Sequence, residues 1–498
     1  MSVPAVLAID QGTTGTTCLV VGSDGRVLGR GYSEFTQHFP EPGWVEHDAE
    51  EIWNVTCRVA REALDAANDA DVRSIGITNQ RETVVLWDRE TLEPVHRAIV
   101  WQDRRTQPMC RALKAAGHEA EVRRRTGLVL DPYFSGTKIA WLLESEPGLR
   151  RRAEAGELAV GTIDSWLIAR LTDGEAHVTD PTNASRTMLF HLGDAAWDPW
   201  ALDVLGVPRQ ILPDVRPSSG HFGVSRGDHL GIAVPIEGVA GDQQAALFGQ
   251  GCWVEGLAKN TYGTGAFLLL HTGQTVVRSQ HGLLTTAACD ASGQLAYALE
   301  GSVFIAGAAI QWLRDELGLI SSAEQSETMA AELDDNGGVF FVPGFVGLGA
   351  PHWEAQARGA VFGLTRGTSA SHIVRAALEA MAFGTTEVLR AMEADSGVRT
   401  SELRVDGGAS LNDWLMQFQS DVIGVPVRRP PMVETTALGA AGLAGLAAGL
   451  WSNAEEFVAA QGSSNRFEPG DARDRRQTAM AGWNRAVRAS LSWARDQG

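Results

Sequence analysis

The stretch Leu7-Ala-Ile-Asp-Gln-Gly-Thr-Thr-Gly-Thr-Thr17 narrows the folds open to this chain more than any other. The apolar run Ala5–Ile9 before its acid is short, continuous and partly β-branched, which predicts a buried strand. It ends on Asp10 and enters a turn of small residues and hydroxyls. Val20-Val21 and Asp24-Gly25 then read as a return strand and a second hairpin turn. A carboxylate beside a Gly/Thr turn suits a hydrated metal–phosphate complex. The acid takes the cation, and turn amides and hydroxyls face phosphate oxygens. Much later, Leu257-Ala-Lys-Asn-Thr-Tyr-Gly-Thr-Gly265 leads into Ala266–Leu270 and repeats the pattern, a polar Gly/Thr turn between apolar strands. The copies begin near residue 6 and near residue 257. Duplication of a phosphate-binding hairpin, one per domain, is the simplest account.

At 498 residues the chain exceeds what one core supports, so two large domains are expected, 1–249 and 250–498. A net charge of −19 opposes a nucleic-acid or anionic-membrane partner, each of which needs a basic footprint. Lysine occurs only at Lys114, Lys138 and Lys259, so few lysines are available to bind phosphate. Cys18, Cys57, Cys110, Cys252 and Cys289 are widely spaced with no Cys-x-x-Cys pair, a pattern of free thiols in a reducing cytosol. Met1-Ser2-Val3-Pro4 runs straight into the first strand without a signal peptide, and a cytoplasmic location is expected. Ala437–Trp451 is too short and too rich in Gly and Ala for a membrane span. It reads as a close-packed core helix, and no stable membrane insertion is expected.

Along the chain, Asp48 with Glu51 predicts a capping box for a helix that turns Ile52, Val55, Val59, Ala63 and Ala67 to one face. Ser74–Thr78 is a buried strand running into Asn79-Gln80-Arg81-Glu82, and Thr83–Trp87 returns. Arg81-Glu82 is thereby placed in a tight connection between strands. Val234–Val239 is a strand ending at Gly241-Asp242-Gln243, followed by a helix. Ala306–Leu317 and Ser371–Met392 are helical runs. Leu403–Val405 is a strand ending at Asp406-Gly407-Gly408, and Trp414–Ile423 is a helix stopped by Gly424. Strand-end glycines before a helix let backbone approach a nucleotide closely, with helix amides facing it.

Three common phosphate-binding signatures are missing: Gly-x4-Gly-Lys-Ser/Thr, a Gly-x-Gly-x-x-Gly opening a βα unit, and the protein-kinase His-Arg-Asp and Asp-Phe-Gly pair. Gly-x-Ser-x-Gly and His-Glu-x-x-His are missing too, which removes support for serine hydrolases and zincins. What remains is two Gly/Thr hairpins, two strand-end acids at Asp10 and Asp242, and a Gly-Gly-Ala turn at 407–409. That is the layout of the α/β actin-like ATPase clamp, two ribonuclease-H-like domains with a nucleotide and substrate cleft between them. The chain resembles the carbohydrate kinases with that fold, and within them the kinases that act on glycerol. The most specific matching stretches are Pro42–His47, Gly76–Glu82, Asp131–Lys138, Ala240–Gln250 and Asn260–Gly265. Gly359–Arg366 and Arg404–Gly408 extend the match, so that it covers essentially the whole chain.

The resemblance implies ATP and Mg²⁺ as cofactors, with Asp10 holding the metal through water. Thr13, Thr14, Gly15 and Thr17 fall in the first phosphate turn, and Thr264 in the second contacts the transferring phosphoryl group. Gly307 and Gln311 are implied to bound the nucleotide pocket, with Gly408 and Asn412 at its adenosine end. Glycerol is implied to meet Arg81, Glu82, Tyr133, Asp242 and Gln243, with Trp101 and Phe267 covering its carbons. Asp242 is the natural general base for the attacking hydroxyl. A homodimer or homotetramer is implied as well.

One departure stands out: where the family usually continues its first hairpin with Ser-Ser-Arg, this chain has Gly15-Thr16-Thr17, without the cation. His229 sits where some bacterial members carry a histidine phosphorylated by the sugar phosphotransferase system. Its flanks match poorly and favour a plain surface histidine. The rival readings are a kinase of the same fold acting on a pentose or gluconate, and an actin-like filament or chaperone ATPase. Arg81-Glu82 with Tyr133 favours glycerol over the first, and Asp242-Gln243 with Gly359–Arg366 favours a kinase over the second.

Overall fold

The computed structural model describes residues 2–432, 434–470 and 473–495. Two large sheets organise the chain, each built on one of the two hairpins. In the N-sheet the strand order is Ser219–Val224, Pro235–Gly241, Ala70–Asn79, Val3–Gln11, Gly15–Gly22, Val27–Glu34. Val3–Gln11 is antiparallel to Gly15–Gly22 and parallel to Ala70–Asn79, which is itself parallel to Pro235–Gly241. In the C-sheet the order is Leu284–Cys289, Leu295–Val303, Ala266–His271, Leu257–Tyr262, Glu402–Asp406, Val427–Arg429, Asn465–Phe467. Leu257–Tyr262 is antiparallel to Ala266–His271 and parallel to Glu402–Asp406. Each sheet thus places an antiparallel hairpin on one side of its first strand and parallel strands on the other. A likeness that is faint in letters is plain in topology.

The apolar run Ala5–Ile9 is fully buried, as expected of a strand covered on both faces. Its alternation divides it between two cores. Ala5, Leu7 and Ile9 pack with the helix Ala49–Ala66. Val6 and Ala8 pack with Ala437, Leu438 and Ala441 of the helix Thr435–Ala447. That second helix arrives from the far end of the sequence, and small residues let it lie close. A Cβ at Gly76 would stand 2.2 Å from the Ala440 carbonyl oxygen, and one at Gly439 would stand 1.8 Å from that of Ala245. The helix ends four residues before Trp451, short of the expected range. Trp451 instead packs in the same cluster and donates its indole N–H to the Ser23 carbonyl at 2.9 Å.

The helix Ala49–Ala66 starts at Asp48, whose Oδ1 accepts the Glu50 and Glu51 amides at 2.9 and 3.2 Å. The expected capping box does not close. Glu51 Oε1 takes the Thr36 amide and hydroxyl at 3.0 and 2.9 Å, and these two donors replace the single amide at the cap. A smaller sheet, Gln37–His38, Glu46–His47, Ala98–Ile99, Val84–Asp88 and Leu158–Thr162, carries the turn at 80–83 beside the N-sheet. No helix among the described residues is long and apolar enough to cross a membrane, and all five cysteines are free and buried.

Candidate active site

The first hairpin turn closes with the Gly12 amide on the Gly15 carbonyl at 2.9 Å. A ladder of polar side chains supports it from below. Gln80 Nε2 donates to Gln11 Oε1 and the Gly12 carbonyl, each at 3.1 Å. Gln37 Nε2 donates to the Thr13 carbonyl at 3.1 Å, and Gln37 Oε1 meets His47 Nε2 at 2.7 Å. Burial, with help from His38, pushes the His47 imidazole down to about 4, so the ladder is uncharged at neutral pH. Trp101 Nε1 donates to Thr13 Oγ1 at 2.9 Å, while its ring meets Tyr133 edge-on at 5.6 Å. Trp101 therefore joins the first hairpin turn to the expected polyol wall.

Asp10 lies opposite Thr17, one pair from the hairpin turn, and Thr14 is exposed at the tip. A Cβ on Gly15 would stand 2.7 Å from the Ser33 carbonyl oxygen, so backbone is close on that side. Burial first, then the negative charge of Asp242, pushes the Asp10 carboxyl up to about 7. Among the described residues no ion pair compensates it, and no group of three or more metal-ligating side chains exists. Two acids near one another beside a Gly/Thr turn fit a divalent cation that takes most of its ligands from water and phosphate.

Arg81 and Glu82 stand between the strands Ala70–Asn79 and Val84–Asp88, as expected, yet they are fully buried. Glu82 holds φ +63°, a left-handed conformation costly for a non-glycine residue and frequent at functional sites. Ser135 Oγ pins its carbonyl at 3.0 Å. Arg81 Nη1 and Nη2 donate to Glu300 at 2.5 and 3.2 Å, and its Nε lies 3.1 Å from Asp242 Oδ1. Arg186 donates Nε to Glu82 Oε1 at 2.7 Å and Nη2 to Glu300 Oε1 at 2.9 Å. Two arginines and two glutamates so form a closed, charge-balanced group. Burial alone would raise Glu300, but Arg186 and Arg81 hold it down to about 2. Arg186 Nη1 is a buried donor left without a partner in a cluster that also contains the Tyr133 ring, 5.8 Å from the Arg186 Cζ.

Asp242 and Gln243 open the helix Asp242–Gly249. Asp242 Oδ1 accepts the Gln243 amide at 2.7 Å, and the side chain is 30% exposed. Gln244 holds the underside, taking Arg81 Nη1 at 3.3 Å and donating to Thr286 Oγ1 at 3.0 Å. Lys259 is fully buried and donates to Gln243 Oε1 and, at 2.8 Å, to Thr261 Oγ1. Burial pushes its ammonium down to about 8. Phe267 lies opposite Thr261, hence on the same face of the C-sheet as Lys259.

The second turn, Gly263–Gly265, presents Thr264 exposed at its tip. It is tied to the helix Gly307–Asp315 by the Gly307 amide on the Gly263 carbonyl at 3.0 Å and the Ala308 amide on Thr264 at 3.1 Å. Gln311 is exposed one turn further along that helix. Parallel pairing of Thr261 with Asp406 sets the 407–412 turn beside this hairpin. Gly407, at φ +81°, lies so close to Tyr262 that a Cβ would stand 2.4 Å from its carbonyl oxygen, while Gly408 is exposed with open space around it. Asn412 has its side chain already engaged: Oδ1 caps the helix Asp413–Ile423 through the Leu415 amide at 2.8 Å, and Nδ2 reaches Ser326 Oγ at 3.4 Å. His229 is half-buried, bound to Asp173 Oδ1 at 2.7 Å and edge-on to Trp53.

Sequence reasoning missed Arg186, Glu300, Gln244 and Lys259. The available signal was a single carboxylate in the apolar strand Leu295–Val303 and one of only three lysines in an apolar stretch. Residues 5–249 match the N-terminal domain of the FGGY family of carbohydrate kinases, and residues 258–448 match its C-terminal domain. The chain is 57% identical to the glycerol kinase of Dechloromonas aromatica over 491 residues, 98% of each chain. It is 56% identical to that of Halorhodospira halophila over 495 residues, 99% of this chain and 97% of the relative. Among solved structures, Plasmodium falciparum glycerol kinase with ADP superimposes with a TM-score of 0.94 at 36% identity, covering 98% of this chain and 99% of that one. With both domains matched in order and near-full-length kinship on either side, the chain belongs to the FGGY family of carbohydrate kinases.

Proposed function

We propose that this chain transfers the γ-phosphoryl group of ATP to a terminal hydroxyl of glycerol, giving sn-glycerol 3-phosphate and ADP. The observation that carries the reading is the buried group of Arg81, Glu82, Arg186 and Glu300 set against Asp242. Its two positive and two negative charges cancel, so it offers directed donors and acceptors but no spare cation for a sugar acid. That suits an uncharged polyol whose hydroxyls each need a definite partner. The glycerol kinase relatives support the same substrate.

In this reading Glu82 Oε2, which no side chain of the group engages, accepts one hydroxyl, while Arg81 and Gln243 serve the others. Tyr133, Trp101 and Phe267 cover the carbons. Asp242 Oδ1 is occupied by the Gln243 amide and Arg81 Nε, which leaves Oδ2 to receive the proton of the attacking hydroxyl. The new bond forms between that oxygen and the γ-phosphorus as the bond to the β-phosphate oxygen breaks. Thr13, Thr14, Gly15 and Thr17 on one side, and Thr264 on the other, hold the phosphates. Gly307, Gln311, Gly408 and Asn412 bound the rest of the nucleotide. Asp10 would hold Mg²⁺ through water, and the ion would supply charge neutralisation to the phosphates. The halves 1–249 and 250–498 form the two walls of the cleft, and the enzyme works in the cytoplasm as a homodimer or homotetramer.

ADP release should be followed with ATP and Mg²⁺ alone and with glycerol, xylulose or gluconate added. Turnover with glycerol only is the expected result. Hydrolysis independent of any acceptor, or preference for xylulose or gluconate, would overturn the reading. Light scattering on the eluting peak gives the assembly state.

A further inference from the structure

Lys259, Leu269 and Glu300 form one lateral row across three neighbouring strands of the C-sheet, since Lys259 pairs with Leu269 and Leu269 with Glu300. Residues directly opposite one another in antiparallel strands point to the same face. Two charged, fully buried side chains therefore project together from a sheet whose other strand positions are mostly apolar. Each reaches a residue that the family resemblance implies for the substrate, Glu300 reaching Arg81 and Lys259 reaching Gln243. Glu300 takes both terminal nitrogens of Arg81 and one of Arg186. Lys259 donates to Gln243 Oε1, and its second bond, to Thr261, fixes the direction of the ammonium.

Neither contact leaves much freedom. Arg81, gripped through Nη1 and Nη2 and with Nε turned to Asp242, can offer substrate only the outer edge of Nη2. Gln243, with Oε1 taken by an ammonium, must present its NH₂ outward as a donor. The recognition groups sit on loops and a helix beside the N-sheet, but their orientation is dictated from the C-sheet.

We propose that Glu300 and Lys259 are positioning residues that set hydroxyl recognition, Glu300 by fixing Arg81 and Arg186 and Lys259 by fixing the amide of Gln243. The proposal rests on the glycerol reading given above. Nucleotide binding, which uses the two hairpin turns, should depend on neither.

The test uses the full chain with Glu300→Gln and, separately, Lys259→Gln, each retaining much of the native shape. The KM for glycerol should rise about 10- to 100-fold, as expected when a charge-assisted hydrogen bond is lost. The KM for ATP should stay within about twofold of wild type, and thermal stabilisation by ADP should persist while that by glycerol is lost. Preference for glycerol over 1,2-propanediol, which lacks one hydroxyl, should fall in both variants. A purely structural role would instead raise both KM values together and weaken stabilisation by ADP and glycerol alike, and that outcome overturns the proposal. So does an unchanged KM for glycerol in both variants while wild type is active. A wild type that does not phosphorylate glycerol overturns the functional reading itself. Lys259→Gln leaves the buried arginines paired, so this arm decides the question even where Glu300→Gln fails to accumulate as folded protein.

Discussion

Asp242 and Asp10 are both strand-end acids, yet their surroundings differ. Asp242 is partly exposed, with one oxygen engaged and the other free, the state a proton acceptor needs. Asp242→Asn should lower kcat by roughly 10²–10⁴, with ADP binding retained in a thermal-shift assay. Near-normal turnover would remove the base assignment. Asp10, pushed up to about 7, is a group whose folded form holds its proton more tightly than the unfolded chain does. Its contribution to stability is therefore present at low pH and is lost as pH rises from about 4 through about 7. In metal-free protein at pH 8, Asp10→Asn should raise stability by roughly 1–3 kcal/mol. The same change should abolish any extra stabilisation from adding Mg²⁺ to the ADP complex. Urea melts of both proteins at pH 5 and pH 8 check the sign, and a variant less stable at pH 8 would contradict it. The acids themselves were legible in the sequence because each closes a strand-like run, Asp10 just before a small-residue turn and Asp242 just before a helical run. Glu300 was not, because a lone glutamate in a strand carries no signal until its partners at 81 and 186 are adjacent.

At the level of elements, the helices Asp242–Gly249 and Thr435–Ala447 meet through glycine. Gly439 sits against the Ala245 carbonyl, and Gly249 against that of Thr435. Any side chain at 439 must push the first helix, and its leading residue is Asp242. Gly439→Val should cost roughly 1–3 kcal/mol or more through overpacking. It should also depress kcat more than the KM for ATP, because the displaced atoms are those of the proposed base. Equilibrium unfolding with steady-state kinetics on the same preparation checks both effects. Normal kcat in a destabilised variant would show that the helix does not transmit the shift. The composition of 437–451 announced a tightly packed helix, since so much Gly and Ala has no other economical use. Its partner was hidden, because the nearest sheet in sequence is not the sheet it covers. The missing capping box has the same origin: Glu51 found two donors on Thr36, fifteen residues away, where local pattern reading looks only three residues back.

Across the whole molecule, the two halves share cores. Val6, Ala8, Leu19 and Val21 of the N-sheet are covered by Ala437, Leu438, Ala441 and Leu443. A second apolar cluster joins Val84 and Leu86 to Ala287 and Tyr297. Residues 1–249 expressed alone should therefore expose a sheet face and fail to melt cooperatively, while the intact chain unfolds in one calorimetric transition. A well-folded 1–249 fragment, or two separated transitions in the intact protein, would contradict this. By itself the sequence determined the strands, the two hairpin turns, the strand-end acids and the ordered motifs that carry the family resemblance, because hydrophobic period and turn chemistry are local properties. Only the tertiary structure decided that Arg81 and Glu82 belong to a buried ion-pair group. It also brought Glu300 and Arg186 against them and Lys259 against Gln243, and set Asp242 near Asp10. The contacts of Arg81 with Glu300 and of Glu82 with Arg186 join residues 219 and 104 positions apart, and burial turns a charge into a site only when a partner is there to meet it.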